Sequence, residues 1–235
     1  MSEETSHTHR LSEISYTDVA SMNAVAEMHI RLLGFGPMAG LGRRFIKDAC
    51  YANNMRDGQL NVAIYDIDDN HAGFVAYTDK SASFHRSSLS KHWLRTAGTL
   101  MLSLLEDPRR LAALWRALAV VGSRRAELDV LGDDAVGEVV CIAVEPEYLK
   151  NEFKLASGLR ASGELVIYAA RKLKESGIEQ MRMLVDADNK AVLFLYRSLG
   201  ARFEKYEQAG EPMVQVWFDV DALISGHDLS VEVNG

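Results

Sequence analysis

The sequence predicts an α/β (α+β) protein built on one mixed central sheet. Three observations support this fold class. Short β-rich segments alternate with segments of helical periodicity, an almost wholly apolar strand lies beyond the middle of the chain, and helical segments interrupt the alternation after the third strand. No repeat and no Pro/Ser-rich linker divides the chain, so we expect one domain over 11–222, with flexible tails at 1–10 and 226–235.

The first third of the chain predicts a strand, two helices and a hairpin. Asp18 precedes a run of helical periodicity and is a candidate N-cap. After the second helix the pattern changes to that of β-strands, and Asp68-Asp69-Asn70 is typical of a hairpin turn. The expected elements are strand 12–18, helices 19–33 and 43–55, and strands 60–67 and 71–78.

Residues 80–125 differ from the rest of the chain in charge. They contain nine Lys or Arg against two acids, a net charge of +7 that leaves −14 on the remainder. Two helices are expected, over 89–106 and 108–121. Asp107 is the expected N-cap of the second, with Pro108 at its first position. Three interpretations stay open. Trp93 and Trp115 pack inward while the cations reach water, the segment is a lid that borders the acceptor site and attracts an anionic substrate, or it docks on an anionic membrane surface.

The second half of the chain predicts strands that alternate with helices. The strand over 137–144 is nearly all apolar, which is typical of a central strand covered on both faces. Gly177 and Gly200 each follow a helical segment and are expected to end it. The other expected elements are helix 164–175, strand 180–186, helix 190–199 and strands 201–207 and 213–220.

Composition and charge exclude several classes of protein. The chain has 235 residues, and its net charge of −7 argues against nucleic acid as a partner. Its two cysteines, Cys50 and Cys141, fit no zinc spacing, so no metal site is expected. The N-terminus lacks the apolar core of a secretion signal, and the richest apolar run, 111–121, is about half a membrane span and contains Arg116. We therefore expect a cytoplasmic protein.

Three stretches of the second half carry a resemblance to a known family. They are IAVEPEY at 142–148, ASGELV at 161–166 and VDADNKAVLFLYRSLGARF at 185–203. With these stretches the chain resembles the GCN5-related N-acetyltransferase (GNAT) superfamily, and within it the members associated with sugars and polysaccharides. The resemblance covers 11–222. It implies an acyl-CoA N-acyltransferase fold whose mixed sheet has splayed strands, with the helical insertion between the third and fourth strands.

The resemblance implies a site for acetyl-CoA, or another acyl-CoA, between the splayed strands. In this fold the backbone of the central strand binds the pantetheine, and the N-terminus of the next helix binds the pyrophosphate. Tyr196 is implied as the acid that protonates the departing thiolate, since an unperturbed tyrosine holds its proton at neutral pH. The implied cofactor-binding residues are Cys141, Ile142, Ala143, Val144, Arg160, Ala161, Ser162, Gly163 and Asn189.

The phosphate-binding loop departs from the pattern of the superfamily. Gln/Arg-x-x-Gly-x-Gly/Ala usually follows the proline closely, whereas the loop after Pro146 is several residues longer. One register begins at Arg160 and places Leu165 where a small residue is usual. The other runs from Gly158 to Gly163, has small residues at the helix start and places Leu165 on the buried face. We favour the second register.

Two further residues are candidates for the acceptor side of the reaction. Glu138, at the start of the central strand, is a candidate base for the acceptor amine, directly or through water. His29, on the first helix, is a candidate acceptor-binding residue. A Gly/Phe/Pro-rich turn follows it, as in some sugar-associated members of the superfamily.

The function that the resemblance implies is direct transfer of an acetyl group from acetyl-CoA to a small-molecule or sugar-type amine. An anionic or sugar-linked acceptor and a homodimer stay open. Two alternatives remain beside this function. One is a non-catalytic ligand-sensing or scaffold protein with an altered phosphate loop, in which Tyr196 is a core aromatic residue. The other is an O-acetyltransferase of glycan assembly.

Overall fold

The structure is a computed structural model that describes most of the chain. The described residues are 7–34, 38–87, 91–118, 135–153, 158–208, 210–227 and 232–234. Parts of several expectations lie outside the described residues. These parts are the turn at 35–37, the start of the helix expected over 89–106, the end of the helix expected over 108–121, loop residues 154–157, most of the first tail and half of the second.

An eight-stranded mixed sheet forms the centre of the protein. Its strands are β1 His9–Glu13, β2 Asn61–Ile67, β3 Asn70–Thr78, β4 Val136–Val144, β5 Gln180–Asp186, β6 Arg202–Gln208, β7 Glu211–Asp219 and β8 Glu232–Asn234. Their order across the sheet is β6-β7-β5-β4-β3-β2-β1-β8. The pairs β4–β5 and β1–β8 are parallel and the other pairs are antiparallel. The predicted α/β fold with a mixed central sheet is confirmed.

Helices connect the strands and cover both faces of the sheet. They are α1 Val19–Leu32, α2 Arg43–Phe45, α3 Asn53–Arg56, α4 Ser81–Ser87, α5 Trp93–Glu106, α6 111–118, α7 Ala161–Glu175, α8 Lys190–Ser198 and α9 Val220–Ser225. A π-helical stretch, Ile46–Ala52, joins α2 to α3. Asp18 caps α1 as predicted, accepting from the Ser21 amide at 3.1 Å. No helix among the described residues is both long and apolar enough to cross a membrane.

The core lies in two layers, one on each face of the sheet. Side chains of a strand alternate between faces, and β2 shows this alternation. Ala63, Tyr65 and Ile67 belong to the layer under α7, whereas Val62 and Ile64 belong to the layer under α1. All five of these side chains are buried, so β2 is covered on both of its faces.

The structure differs from the sequence expectations mainly at element ends and in the insertion. The first strand begins at His9 rather than residue 12, and helix α4 was not predicted. Helix α7 begins at Ala161, three residues earlier than expected. The tail expected over 226–235 differs in part, because Glu232–Asn234 forms β8 and pairs with β1.

The insertion between β3 and β4 packs on the rest of the protein through small residues. The buried residues of this contact are Leu41, Phe45, Ala49, Ala113 and Ala117. The approach is close, since a Cβ added at Gly40 would lie 2.7 Å from the Cβ of Ala113. Trp93 and Trp115 are 63% and 67% exposed, so the interpretation in which both pack inward is wrong.

Candidate functional site

Strands β4 and β5 form a wedge-shaped gap. They pair in parallel only between Val136–Glu138 and Gln180–Arg182. Beyond this point β4 stays paired with β3 as far as Val144, and β5 stays paired with β7. Val140 is the extra residue of a bulge against β3 and separates the closed half of β4 from the open half. The splayed strands expected from the sequence are confirmed.

The open half of β4 directs backbone groups into this gap. Just after the strand, the Glu145 amide donates to a carbonyl of β3 at 2.8 Å. Backbone groups of a strand alternate in direction with a period of two, so those of Cys141 and Ala143 also face β3. The N–H and C=O groups of Ile142 and Val144 therefore face the gap. This is the edge at which an extended ligand could pair as a further strand.

Glu138 lies at the closed end of the wedge and is held by a cation. Its Oε2 accepts from Arg182 Nε at 3.1 Å and from Arg182 Nη2 at 3.0 Å, and both side chains are buried. Ser81 Oγ donates to the same oxygen at 3.2 Å. The proposed role of Glu138 as a base stays a prediction, and the structure shows this carboxylate engaged in a buried ion pair.

Helix α7 begins directly after the loop that follows β4. Ala161, Ser162 and Gly163 form its first turn, and the side chain of Arg160, the N-cap residue, does not cap the helix. The first amides of a helix lack intrahelical acceptors and attract anions. Leu165 is fully buried, which agrees with the second register of the phosphate loop. The contacts of these residues with a cofactor stay predictions.

Tyr196 lies in α8, inside the core layer on the α7 side of the sheet. Its ring packs edge-to-face against Phe218 of β7, with ring centroids 5.9 Å apart. Burial raises the pKa of the Tyr196 hydroxyl above its ordinary value, so the group keeps its proton at neutral pH. Asn189 is the N-cap of α8, and its side chain accepts from the Val192 amide at 3.2 Å. A contact of Asn189 with a cofactor stays a prediction.

A short hydrogen-bonded chain connects α1 with the open half of β4. His29 Nδ1 lies 2.7 Å from the Tyr51 hydroxyl, and that hydroxyl lies 3.2 Å from Cys141 Sγ. Burial lowers the pKa of His29 to about 4 and raises the pKa of Cys141 to about 11, so both side chains are neutral near pH 7. A neutral His29 can accept the Tyr51 proton at Nδ1, and the Tyr51 oxygen can then accept from the thiol.

A second contact fixes α1 to the end of β4. Arg31 donates to Glu145 through both terminal nitrogens, in the bidentate geometry that favours an arginine–carboxylate pair. Together with the hydrogen bonds from His29 through Tyr51 to Cys141, this ion pair holds α1 beside the open half of the strand. Helix α1 therefore covers this face of β4 beside the gap.

Sequence reasoning missed Tyr51, Arg31 and Arg182. Tyr51 lies in the π-helical stretch, whose register cannot be read from apolar spacing of period 3.6. Arg182 lies opposite Glu138 because each is the third residue of its strand in the structure, whereas the predicted strand 137–144 makes Glu138 the second residue and hides this pairing.

Comparison with known proteins identifies the fold. No family model and no curated protein matches the sequence. Solved structures do match: the PaiA N-acetyltransferase from Thermoplasma acidophilum, in complex with coenzyme A, has a TM-score of 0.51 at 11% identity and covers 89% of this chain and 98% of its own. A GNAT-family protein from Desulfovibrio desulfuricans has a TM-score of 0.52 at 11% identity, with 92% and 99% covered.

The spermidine/spermine N-acetyltransferase SpeG from Vibrio cholerae matches in the same way. Its TM-score is 0.52 at 9% identity, and the match covers 93% of this chain and 97% of that chain. At sequence identities this low, the similarity shows a shared fold and does not show a shared substrate. The chain has the fold of the GNAT acetyltransferases.

Proposed function

We propose that this protein is an acetyl-CoA-dependent N-acetyltransferase that acts on a small-molecule amine. The observation that supports this most is the early end of the β4–β5 pairing, which leaves the backbone groups of Ile142 and Val144 facing a gap. Two structures of the same fold, PaiA and the YncA protein from Salmonella typhimurium, were solved with coenzyme A and acetyl-CoA respectively. A ligand common to such structures is the first candidate for this gap.

The residues around the gap fit the parts of acetyl-CoA. The amides of pantetheine can pair with the exposed edge at Ile142 and Val144, as a peptide adds to a sheet. The pyrophosphate can bind the first turn of α7, where Ala161, Ser162 and Gly163 allow the backbone to approach. Arg160 adds a positive charge there. When bound, acetyl-CoA supplies the thioester from which the acceptor amine takes the acetyl group.

Tyr196 acts as the general acid in this proposal. Its buried hydroxyl holds a proton at the phenolic oxygen and donates it to the sulfur as the carbon–sulfur bond breaks. The attacking amine releases one proton to water, and water returns one proton to the Tyr196 phenolate, which restores the enzyme. The enzyme forms no covalent intermediate, because the amine attacks the thioester carbon directly.

The acceptor binds on the α1 side of β4 in this proposal. His29 and Cys141, both partly exposed and linked through the buried Tyr51 hydroxyl, form a neutral hydrogen-bonded group beside the open half of the strand. Such a group suits a small polar molecule with an amine, and a sugar-type amine is one such acceptor. The name of SpeG records spermidine and spermine as the substrates of a protein with this fold.

Binding of acetyl-CoA is the first test of this function. We expect millimolar acetyl-CoA to raise the thermal unfolding midpoint, since a ligand at 100 times its Kd stabilises the folded state by about 2.7 kcal/mol. Isothermal titration with acetyl-CoA measures the Kd. An unchanged midpoint and no heat of binding would instead favour a non-catalytic protein with this fold.

Replacement of Tyr196 by Phe tests the acid. We expect Tyr196→Phe to leave the Kd of acetyl-CoA unchanged and to lower turnover by about 100-fold or more, because the proton donor is lost while the ring remains. Release of free thiol from acetyl-CoA, with spermidine and glucosamine as acceptors, measures turnover. Full activity of Tyr196→Phe would remove Tyr196 from the mechanism without removing the acetyltransferase.

A further inference from the structure

Helices α5 and α6 present large apolar side chains to solvent. Their exposed fractions reach 76% at Leu105, 68% at Leu94 and 67% at Trp115. A soluble protein seldom exposes so many large apolar residues side by side, and such a patch marks a surface for binding. The exposed apolar residues of the two helices, here called the apolar face, are Trp93, Leu94, Met101, Leu102, Leu105, Leu111, Trp115 and Leu118.

The apolar face follows the geometry of the two helices. In α5, Leu94, Gly98, Met101 and Leu105 recur at the helical spacing of four, three and four residues and lie on one side. All four are exposed, so this stripe runs along most of a helix that is about 21 Å long. In α6, positions 111, 115 and 118 repeat the same spacing, and their side chains are also exposed.

The outward direction of this face is fixed by contacts on the inner side of the helices. Ser103 of α5 is fully buried and donates to the Leu41 carbonyl. Arg110 donates to the Ser103 carbonyl at 3.0 Å and lies over Gly42, where an added Cβ would meet the guanidinium carbon at 2.6 Å. Ala113 and Ala117 complete the buried side. A rotation that buried the tryptophans would break all of these contacts.

Positive charge borders the apolar face. Arg95, Arg109 and Arg116 are exposed on the same two helices and the turn between them. Glu106 is already paired with two arginines at 3.1 Å, and Asp107 accepts from a backbone amide as the N-cap of the following turn. The residues at 91–118 carry five Lys or Arg against two acids, whereas the chain as a whole carries −7.

We propose that α5 and α6 dock this protein on the surface of an anionic lipid bilayer. Leucine and tryptophan side chains enter the boundary between headgroups and acyl chains, and arginines beside them bind anionic headgroups. The acidic remainder of the protein is repelled by the same surface, which leaves this face towards the lipid. This inference does not depend on acetyl transfer.

The charge around the apolar face favours an anionic bilayer over a second copy of the chain as its partner. A two-fold dimer through the apolar face would place the same patch against itself. Arg95, Arg109 and Arg116 of both copies would then border one interface, and no exposed carboxylate of the two helices other than the already paired Glu106 is available to them. An anionic bilayer complements the apolar residues and the cations at once.

Vesicle binding tests the proposal with the full chain. We expect the protein to co-sediment with vesicles of phosphatidylcholine and phosphatidylglycerol in equal parts, and to bind vesicles of phosphatidylcholine alone at least tenfold more weakly. Replacing Arg95, Arg109 and Arg116 together by Gln should weaken binding to the anionic vesicles by about 100-fold, because each basic residue near such a surface contributes about a factor of five.

Tryptophan fluorescence reports whether the tryptophans of the apolar face enter the bilayer. The chain has three tryptophans, and the third, Trp217, donates to Glu204 on the opposite part of the sheet. We expect the emission of Trp93 and Trp115 to shift to shorter wavelength on anionic vesicles. The Trp93→Phe, Trp115→Phe double variant should keep binding and lose the shift, since only Trp217 then reports.

A matched pair of variants separates the apolar face from exposed apolar residues in general. Leu105→Glu should abolish vesicle binding, whereas Val19→Glu, at a residue 65% exposed on α1, should not. Both variants alter an exposed side chain, and equal melting midpoints will show that both fold. Binding unaffected by Leu105→Glu, or equal binding to neutral and anionic vesicles, overturns the proposal. A dimer in lipid-free solution that Leu105→Glu dissociates also overturns it, in favour of a second copy.

Discussion

The closed and open halves of β4 differ in how their polar groups find partners. In the closed half, β4 is paired on both sides, and its one charged side chain, Glu138, is neutralised by Arg182 within the protein. In the open half, one side of the strand is paired and the other side leaves the backbone groups of Ile142 and Val144 for an outside partner. The comparison teaches that this fold exposes a backbone edge by ending the β4–β5 ladder early, without a special loop.

The closed half should show the largest effect on stability. We expect Arg182→Met to lower the free energy of unfolding by about 3–5 kcal/mol, because it leaves the Glu138 carboxylate buried without its cation. Urea denaturation measures the change. Arg202→Met, at an exposed position on β6, is the matched control and should change stability by less than about 0.5 kcal/mol.

A double variant refines this prediction. Glu138→Met combined with Arg182→Met removes both charges, and we expect it to recover most of the stability lost in the single variant. If Arg182→Met alone cost less than about 1 kcal/mol, the ion pair would not be what holds the closed half together.

Strand β4, expected over 137–144, and most of the fold could be predicted from the sequence because their signals are local. Strand β5 was predicted with the bounds that the structure gives, and Asp18 and Asp107 were predicted as caps, since N-caps depend on a few neighbouring residues. The wedge followed from the family resemblance of 142–148, 161–166 and 185–203 rather than from periodicity.

What the sequence did not reveal depends on contacts between distant residues. The chain from His29 through Tyr51 to Cys141 joins residues 22 and 90 positions apart, and it passes through a π-helical stretch that has no simple pattern. One of the three interpretations of the insertion placed Trp93 and Trp115 in the core, and both side chains are exposed. Their exposure depends on which side of α5 and α6 fits the small contact surface at Leu41 and Ala49.

The open half should show a pH-dependent effect through His29. Its pKa is about 4 in the folded protein and about 6.5 in the unfolded chain, so between these values only the unfolded chain binds the proton. Stability therefore falls as the pH falls through this window, by about 2 kcal/mol between pH 7 and pH 5 from this group. Urea denaturation of the wild type and of His29→Gln at both pH values measures it.

The variant His29→Gln serves as its own reference in that experiment. We expect its loss of stability between pH 7 and pH 5 to be smaller than that of the wild type by about the same 2 kcal/mol, whatever its stability at pH 7. Equal losses of stability in the wild type and in His29→Gln would show that His29 is solvated well enough to titrate normally. The hydrogen-bonded group of His29, Tyr51 and Cys141 would then not stay neutral.

The smallest effect on stability is expected at the start of α7, after the loop that follows the open half of β4. Ser162→Asp should raise the free energy of unfolding by about 0.3–1 kcal/mol, because a carboxylate at the first turn interacts well with the helix dipole. The same carboxylate should weaken acetyl-CoA binding by roughly tenfold, since it lies at the place proposed for the pyrophosphate and would repel it. Ser162→Asn supplies the neutral control. The effects on stability and on binding have opposite signs, so urea denaturation and calorimetric titration together can separate them. If the Ser162→Asp variant bound acetyl-CoA as tightly as the Ser162→Asn variant, the phosphates would lie away from α7.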